Sequence, residues 1–182
     1  PILVVGYGAR EAMGPVTSLA ERLGAPVLTT FKAKGQIGDD HPLAAGVLGR
    51  SGTPVASWLM NECDLILVFG ASFSNHTGIT PKKPTIQVDF DQMALGRFHP
   101  VDLPVWGEIG ITAGELLEGL PEKLENEDQE AELAERRGQW RDEKAARAAR
   151  SSDRGMSAAA VFAALSETVP ADAVIPVDVG NN

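Results

Sequence analysis

Two glycines in the turn Gly6-Tyr7-Gly8 are the first residues whose types and spacing suit a chemical role. The turn follows the apolar run Ile2 to Val5 and precedes a helical pattern, which is where a dinucleotide-binding loop belongs. Glycines there let backbone amides approach a pyrophosphate, and the N-terminus of the next helix favours its negative charge. However, Glu11 occupies the third glycine position of that fingerprint. A tight turn that needs positive φ is the alternative explanation of Gly6 and Gly8.

Three further segments place small or polar residues where a predicted strand ends. They are Thr29-Thr30, Gly70-Ala71-Ser72-Phe73 and Asp89-Phe90-Asp91. In an open parallel sheet, ligands bind in the crevice outside the carboxyl ends of the strands. Small residues there leave room for a cofactor, and a carboxylate accepts hydrogen bonds from hydroxyl groups. Thr29-Thr30 lacks the acidic residue that holds the ribose of NAD, so a standard NAD site is not predicted. The simpler alternative is that Gly70 and Asp89 only end their strands.

The remaining reactive side chains form no recognisable catalytic or metal-binding set. His41, His76 and His99 are far apart in the sequence and lack the spacing of metal ligands. Cys63 lies at a helical spacing that predicts burial, which favours packing over nucleophilic chemistry. Lys34, in a glycine-rich loop, is either a phosphate ligand or simply solvated. The residues alone therefore predict a nucleotide-sized site on an α/β sheet, with no catalytic residue and no metal site.

The composition excludes several classes of partner. The formal net charge of −9 argues against a nucleic-acid-binding face, which needs a basic surface, and against binding to an anionic membrane. No apolar stretch approaches the roughly 20 residues that a transmembrane helix needs. The single cysteine excludes an internal disulfide and fits a reducing compartment, so we expect a cytoplasmic protein. The chain opens directly in a strand without an initiator methionine, and we expect it to be part of a longer polypeptide.

Short β-branched runs alternate with helical patterns over residues 1–120, which is typical of a parallel α/β sheet. The predicted strands are 2–5, 26–30, 65–69, 85–88 and 103–106. The run 65–69 contains no polar residue, so we expect it to be central and covered on both faces. Residues 31–52 are interpreted as a loop rich in Gly and Asp. The predicted fold class is α/β, a Rossmann-like domain with five or six parallel strands and covering helices.

Helices are predicted between these strands from apolar spacing and from residues typical of helix ends. Pro15 in the first turn and Gly24 at the end delimit the first helix. Thr53-Pro54 predicts the start of the second, and the capping-box spacing of Thr112 and Glu115 predicts the start of the third. Their apolar faces are formed by Val16, Leu19, Ala20 and Leu23, by Val55, Leu59 and Cys63, and by Leu116, Leu117 and Leu120.

The rest of the chain changes character. Residues 122–150 carry dense charges of both signs, which predicts a solvated helix with Gly138 as a weak point in its middle. Ser157 predicts a helix cap, with an apolar stripe at Val161, Phe162 and Leu165, and a strand is predicted at Val174, Ile175 and Val177. We therefore divide the chain into a central domain (1–121), a charged helical linker (122–155) and the truncated start of another domain (156–182).

Several segments match one family when they are read in order. They are TTFKAKG (29–35), DHPL (40–43), GVLG (46–49), ECDLILVFGASF (62–73), QVDFD (87–91) and DLPVWGE (102–108). Together they resemble the central domain of thiamine diphosphate-dependent enzymes of the acetolactate synthase and pyruvate oxidase type. Residues 156–180 are similar to the opening of the third domain of such enzymes, which binds the cofactor's diphosphate.

The resemblance implies a three-layer domain, of the kind that binds NAD or FAD in deoxyhypusine synthase-like folds, with a six-stranded parallel sheet. It implies a groove for FAD or ADP lined by Gly6, Gly8, Thr29, Thr30, Gly70, Ala71, Ser72, Phe73, Asp89, Phe90, Gly107 and Glu108. In such enzymes thiamine diphosphate and Mg2+ are held by the first and third domains. The chain is thus expected to be non-catalytic alone, to have the missing N- and C-terminal domains as partners, and to come from a homodimer or homotetramer.

This sequence departs from the family pattern at the nucleotide groove. FAD-binding members carry arginine where this chain has Ser72, an acidic pair where it has Ser74-Asn75, and proline where it has Gln92. An arginine is a planar cation well suited to phosphate or ring contact, so its loss bears on FAD binding. Two alternatives stay open, namely a structural domain that binds no ligand and a self-standing NAD-binding module of the sirtuin or deoxyhypusine synthase type.

Overall fold

The computed structural model describes residues 1–74, 76–80, 82–122, 124, 129–150, 155–170 and 172–176. The chain forms two compact units, Pro1–Arg137 and Gly138–Asn182. The described residues form five α-helices: α1 Met13–Leu23, α2 Pro54–Glu62, α3 Ile109–Gly119, α4 Gln129–Ala148 and α5 Ala158–Thr168. All predicted site residues lie in the first unit.

The first unit is built on a six-stranded sheet in which every strand runs parallel to its neighbours. The strands are β1 Ile2–Val5, β2 Val27–Thr29, β3 Ala44–Val47, β4 Ile66–Phe69, β5 Thr85–Asp89 and β6 Leu103–Trp106. Their order is β3-β2-β1-β4-β5-β6, so the winding direction reverses between β1 and β4. The predicted fold class is confirmed, and β1 and β4 flank the switch point where open α/β sheets bind ligands.

Apolar side chains cover both faces of the central strands. Leu3, Leu67 and Phe69 belong to one core with buried residues of α1 and α3, and these two helices pack against each other over that face. Alternate residues such as Ile2 and Val68 are equally buried but point to the opposite face. Crossovers between parallel strands are almost always right-handed, and by that rule the connection from β3 to β4 places α2 on this second face. No residue of α2 belongs to the core formed with α1 and α3. The result is the predicted three-layer arrangement.

The ends of α1 and α2 follow the predicted signals, with one difference. Gly24 closes α1 in the left-handed conformation, at φ 57°, which costs glycine little. Thr53 precedes α2 and Pro54 is its first residue, as predicted. However, the Thr53 hydroxyl donates to the carbonyls of Ala45 and Val47 at 3.2 and 3.3 Å, so it bonds to β3 and not to the helix end.

Strand β3 lies inside the segment 31–52 that was predicted to be a loop, and that prediction is wrong over 44–47. Its residues Ala44-Ala45-Gly46-Val47 are mostly small, with little intrinsic strand preference. Their small size has a tertiary reason, because a Cβ on Gly46 would lie 2.5 Å from Thr53 Oγ1. Packing against α2 therefore decides this strand, and a local pattern could not predict it.

Helix α3 begins one turn earlier than the capping box of Thr112 and Glu115 predicted, so that prediction is also wrong. Glu108 is the N-cap, and its carboxylate accepts the Ile111 N–H at 2.7 Å. Thr112 lies inside the helix, where its hydroxyl donates to the Glu108 carbonyl at 2.7 Å. The N-cap is thus Glu108, the first acidic residue after β6, and Thr112 bonds to the backbone within the first turn of the helix.

The charged segment forms helix α4, and its first part packs on the first unit. Leu133 is only 1% exposed. The Arg137 guanidinium donates to the backbone carbonyls of Asp39, His41 and Pro42, the last two at 2.7 and 3.2 Å. These contacts make the helix up to Arg137 a packed element of the first unit.

The second unit contains α5, which begins as predicted. Ser157 Oγ accepts the Ala160 N–H at 3.2 Å, and the apolar stripe at Val161, Phe162 and Leu165 is exposed. The strand predicted at Val174 and Ile175 does not form, since the described part of this unit offers no strand to pair with. Val177 lies outside the described residues. None of the helices in the described ranges combines the length and apolar character that crossing a bilayer requires.

Candidate functional site

All twelve predicted site residues lie where strands end at one edge of the sheet, here called the carboxyl edge. It consists of the loops at residues 6–8, 29–30, 70–73, 89–90 and 107–108, which follow β1, β2, β4, β5 and β6. Backbone hydrogen bonds join neighbouring loops to the strands beside them. They run from Thr30 N to Val5 O (2.9 Å), from Gly70 N to Val88 O (3.0 Å) and from Gly107 N to Asp89 O (3.1 Å).

The loops after β1 and β4 touch each other at the switch point. Gly6 N donates to Phe69 O at 2.9 Å, and Gly8 N donates to Gly70 O at 3.0 Å. A Cβ on Gly6 would lie 2.1 Å from Gly70 O, and a Cβ on Gly70 would lie 2.6 Å from Ala9 N. Gly70 also has φ +61°, in the left-handed region. A Cβ on Gly8 would likewise lie 2.9 Å from Gly70 Cα. Gly6, Gly8 and Gly70 therefore accept only glycine, because the backbones of the two loops meet there.

This contact decides which groups of the β1 loop face outward. The amides of Gly6 and Gly8 are already bonded to carbonyls, and those of Ala9 and Arg10 donate to Gly6 O and Tyr7 O at 3.1 and 3.3 Å. A nucleotide at this edge would therefore meet side chains and the rims of the loops before it met these amides. That Gly6 and Gly8 line a nucleotide groove stays a prediction.

The loop after β4 is tightly held although it carries a strained residue. Phe73 has φ 54°, a conformation that is uncommon for a side chain of this size, and it is 2% exposed. Its ring packs edge-on against the His99 ring, with centroids 6.2 Å apart. Ala71 is buried and Ser72 is exposed. Burial of both neighbours fixes Ser72 as the outward-facing side chain of this loop.

Asp89 is a buried carboxylate at the end of β5. It is 6% exposed, and its Oδ1 accepts the Asp91 N–H at 2.9 Å. Burial raises the pKa of Asp89 above its usual value, and the Asp91 carboxylate nearby acts in the same direction. The hydrogen bond from the Asp91 backbone opposes this shift. The group combines a desolvated charge with acceptor capacity at the predicted site.

Thr29 and Glu108 use their side chains for local structure. The Thr29 hydroxyl donates to Gly46 O at 3.4 Å, toward β3, while Thr30 is half-buried at the loop. The Glu108 carboxylate caps α3, and its pKa is lowered by the N–H groups of Ile111 and Gly110. Any contact of these two side chains with a ligand stays a prediction.

Residues 1–116 match the protein family described as the thiamine pyrophosphate enzyme central domain. The chain is also 32% identical over 181 residues to a putative thiamine pyrophosphate-containing protein, YdaP, of Bacillus subtilis, covering 99% of this chain and 31% of that protein. It is 32% identical over 149 residues to the acetolactate synthase large subunit of Parasynechococcus marenigrum, covering 78% of this chain and 24% of that protein. A sulfoacetaldehyde acetyltransferase of Rhodobacter capsulatus is 30% identical over 209 residues, with coverage of 100% and 35%.

The chain belongs to the thiamine pyrophosphate enzyme central-domain family. This confirms the resemblance recognised in the sequence. The chain spans about a quarter to about a third of the length of these relatives, so it corresponds to one part of each of these longer proteins.

Within this central domain the carboxyl edge and the residues next to it also carry exposed aromatic rings, most of which the sequence analysis did not single out. Tyr7, Phe31, Phe90 and Trp106 are 55, 52, 62 and 67% exposed, and each ends a strand or follows its end. The Arg10 guanidinium lies 4.5 Å from the centre of the Tyr7 ring. Of these, only Phe90 was predicted as a site residue. Aromatic residues just after strand ends would have been the signal for the other three.

The remaining reactive residues of the central domain lie outside this edge or are engaged. Lys34 pairs with Asp39 at 2.6 Å, which accounts for its charge without a phosphate. Cys63 is buried, and burial raises the pKa of its thiol. In the described ranges no three His, Cys, Asp or Glu side chains come together to hold a metal ion.

Proposed function

We propose that this chain is the central, non-catalytic domain of a thiamine diphosphate-dependent enzyme that acts on 2-oxo acids such as pyruvate. Its family membership and its relatives, which include acetolactate synthase large subunits, support this function. In the proposed parent, 1–121 is the central domain, 122–155 a helical linker and 156–182 the start of the C-terminal domain. The parent is a cytoplasmic homodimer or homotetramer whose other domains hold thiamine diphosphate and Mg2+.

We further propose that the carboxyl edge binds the nucleotide part of FAD or ADP. One observation carries this proposal: five loops meet along one edge of a parallel sheet and flank the switch point between β1 and β4. Asp89 offers acceptor capacity for ribose hydroxyls, and the exposed rings of Tyr7, Phe31 and Phe90 offer faces for a purine. In this proposal Gly6, Gly8, Gly70 and Gly107 shape the groove and the side chains contact the ligand.

Calorimetric titration of the chain with FAD, ADP and NAD tests this assignment. FAD or ADP binding with no NAD binding is the expected result. Binding of NAD alone would favour a self-standing NAD module, which the absence of an acidic residue at Thr29-Thr30 disfavours. Failure of all three nucleotides to bind would favour a structural domain, a function consistent with the bonded amides of Gly6 and Gly8.

A gain-of-function variant sharpens the test. Ser72 is exposed, so Ser72→Arg can restore the cation of FAD-binding members without disturbing the core. We expect ADP or FAD to bind about tenfold more tightly, because an arginine–phosphate contact contributes roughly 1.5 kcal/mol or more. Ser18→Arg, at an exposed site on α1, adds the same charge elsewhere and should leave affinity unchanged. Equal effects of the two variants would indicate only a general charge effect.

The proposal that this chain is non-catalytic is tested by activity. With thiamine diphosphate, Mg2+ and pyruvate we expect no decarboxylation above the rate without protein, since in the enzymes that this chain resembles the first and third domains hold thiamine diphosphate and Mg2+. The measurement is carbon dioxide release over several hours. Turnover that rises in proportion to protein concentration would contradict this proposal.

A further inference from the structure

Gln87 is a fully buried polar side chain in the middle of β5, beside Val68 of β4 in the sheet register. The side chain is 0% exposed and lies between two apolar residues of the strand, Ile86 and Val88. A buried amide costs free energy unless its donors and acceptor are bonded. Its conformation is therefore decided by the groups to which it bonds.

Those groups belong to two different loops of the carboxyl edge. Gln87 Nε2 donates to Ala71 O and to Ala94 O, both at 3.1 Å. Gln87 Oε1 accepts the Gly96 N–H at 2.8 Å. Ala71 lies in the loop after β4, whereas Ala94 and Gly96 lie in the loop after β5. One side chain thus ties the two loops together from beneath.

The two loops carry half of the predicted site residues. Ala71 sits between Gly70 and the outward-facing Ser72, two residues before the strained Phe73. On the other side, Asp89 and Phe90 lead into the turn that ends at Ala94 and Gly96. The reach of the Gln87 side chain therefore sets the spacing between the β4 and β5 sides of the groove.

We propose that Gln87 is a positioning residue that holds these two loops at the separation the nucleotide groove needs. The link to nucleotide binding rests on the proposed function of the carboxyl edge. The claim that Gln87 holds the two loops together does not depend on that function. Simple core filling is the competing explanation, and an apolar side chain of the same length would satisfy it. Hydrogen bonding to three backbone groups is what distinguishes the two roles.

The test compares Gln87→Met with Val88→Ala. Methionine keeps the length of glutamine and loses all three hydrogen bonds. Val88 is the next residue, is 0% exposed and belongs to the core under α1 and α3, so its truncation lowers stability without touching these bonds. Both variants are measured at a temperature where circular dichroism shows them folded.

Three readouts follow. In Gln87→Met, the affinity for ADP or FAD should fall about tenfold, as expected for a groove that must be reorganised on binding. The Gly96 amide should lose exchange protection. The Trp106 indole N–H resonance should shift, because Trp106 Nε1 donates to Phe90 O at 3.0 Å and reports the β5 loop. Val88→Ala should change none of the three.

Unchanged Gly96 exchange and Trp106 resonance in Gln87→Met would overturn the inference, as would equal effects in Val88→Ala. If the wild-type chain binds neither ADP nor FAD, the proposed function fails, and the Gly96 and Trp106 readouts still decide whether Gln87 positions the loops. Should Gln87→Met fail to fold, Gln87→Asn keeps the amide but shortens its reach. The Gly96 exchange and the Trp106 resonance should then differ from those of the wild type, and their constancy would contradict the role.

Discussion

Asp89 places a desolvated charge at the end of β5, where the proposed groove needs an acceptor. Its raised pKa means that the folded chain favours the neutral form more than the unfolded chain does. The stability tied to this group is therefore complete below the unfolded pKa of about 3.9 and is lost as the pH rises through the folded value. Asp89→Asn removes that dependence and keeps an oxygen for the Asp91 N–H.

For Asp89→Asn we expect a higher urea midpoint than wild type at pH 7, with a difference that shrinks as the pH falls toward about 4. Nucleotide affinity should fall about tenfold, since a charged acceptor for the ribose is lost. Asp40→Asn is the matched control, because Asp40 is exposed and the same charge is removed outside the carboxyl edge, so neither the midpoint nor the affinity should change. A lower midpoint for Asp89→Asn at pH 7 would show that the carboxylate stabilises the fold.

For single residues, the sequence predicted where a residue lies in the fold better than what its side chain does there. Gly6, Gly8 and Gly70 do lie where strands end, but the reason for glycine is contact between two loops more than 60 residues apart in the chain. Gln87 was noted only as part of a family motif. Its role depends on Ala71, Ala94 and Gly96, whose proximity exists only in the folded sheet.

Helix α4 was predicted to be solvated because of its charges, but its first part packs on the first unit. Its composition is charged, yet Leu133 is 1% exposed and Arg136 stacks over the Trp58 ring at 3.8 Å. We expect Leu133→Ala to lower the free energy of unfolding of the first unit by about 2–5 kcal/mol, the usual cost of truncating a buried leucine. Chemical denaturation monitored by circular dichroism measures this change.

Leu116→Ala on α3 is the control for that prediction, because the same atoms are removed from a side chain that is 39% exposed. Its effect should stay below about 1 kcal/mol. Equal effects of the two substitutions would mean that the first turns of α4 contribute little to the first unit.

Elements with a strong local pattern were predictable, and those decided by packing were not. Strands β1 and β4 are continuous apolar runs that were predicted as strands, and the central position of β4 was predicted from that composition. Strand β3 consists of small residues that pack under Thr53, so its sequence predicts a loop. Helix α3 begins at Glu108 because that carboxylate reaches the free amides first, ahead of the better-looking cap at Thr112.

For the whole molecule, the order of strands and helices along the chain was enough to predict the parallel sheet and the common edge of its strand ends. Alternation of strands and helices predicts a parallel sheet, and a parallel sheet places all strand ends on one edge. The reversal between β1 and β4 was not predicted from local patterns, and it is what brings Gly6 and Gly70 together. The winding of the doubly wound sheet is therefore what places the loops after β1 and β4 beside each other.

The two units should differ in stability, and α3 and α5 offer a matched comparison because each has 11 residues. Helix α3 buries Ile109 and Ala113 in the main core, whereas α5 has no buried residue and leaves Phe162 67% exposed. A helix of this length is marginal in water without tertiary packing. In hydrogen–deuterium exchange we therefore expect amides in the middle of α5 to exchange about 100-fold faster, or more, than those of α3. Equal protection of the two helices would show that the apolar stripe of α5 is covered in solution.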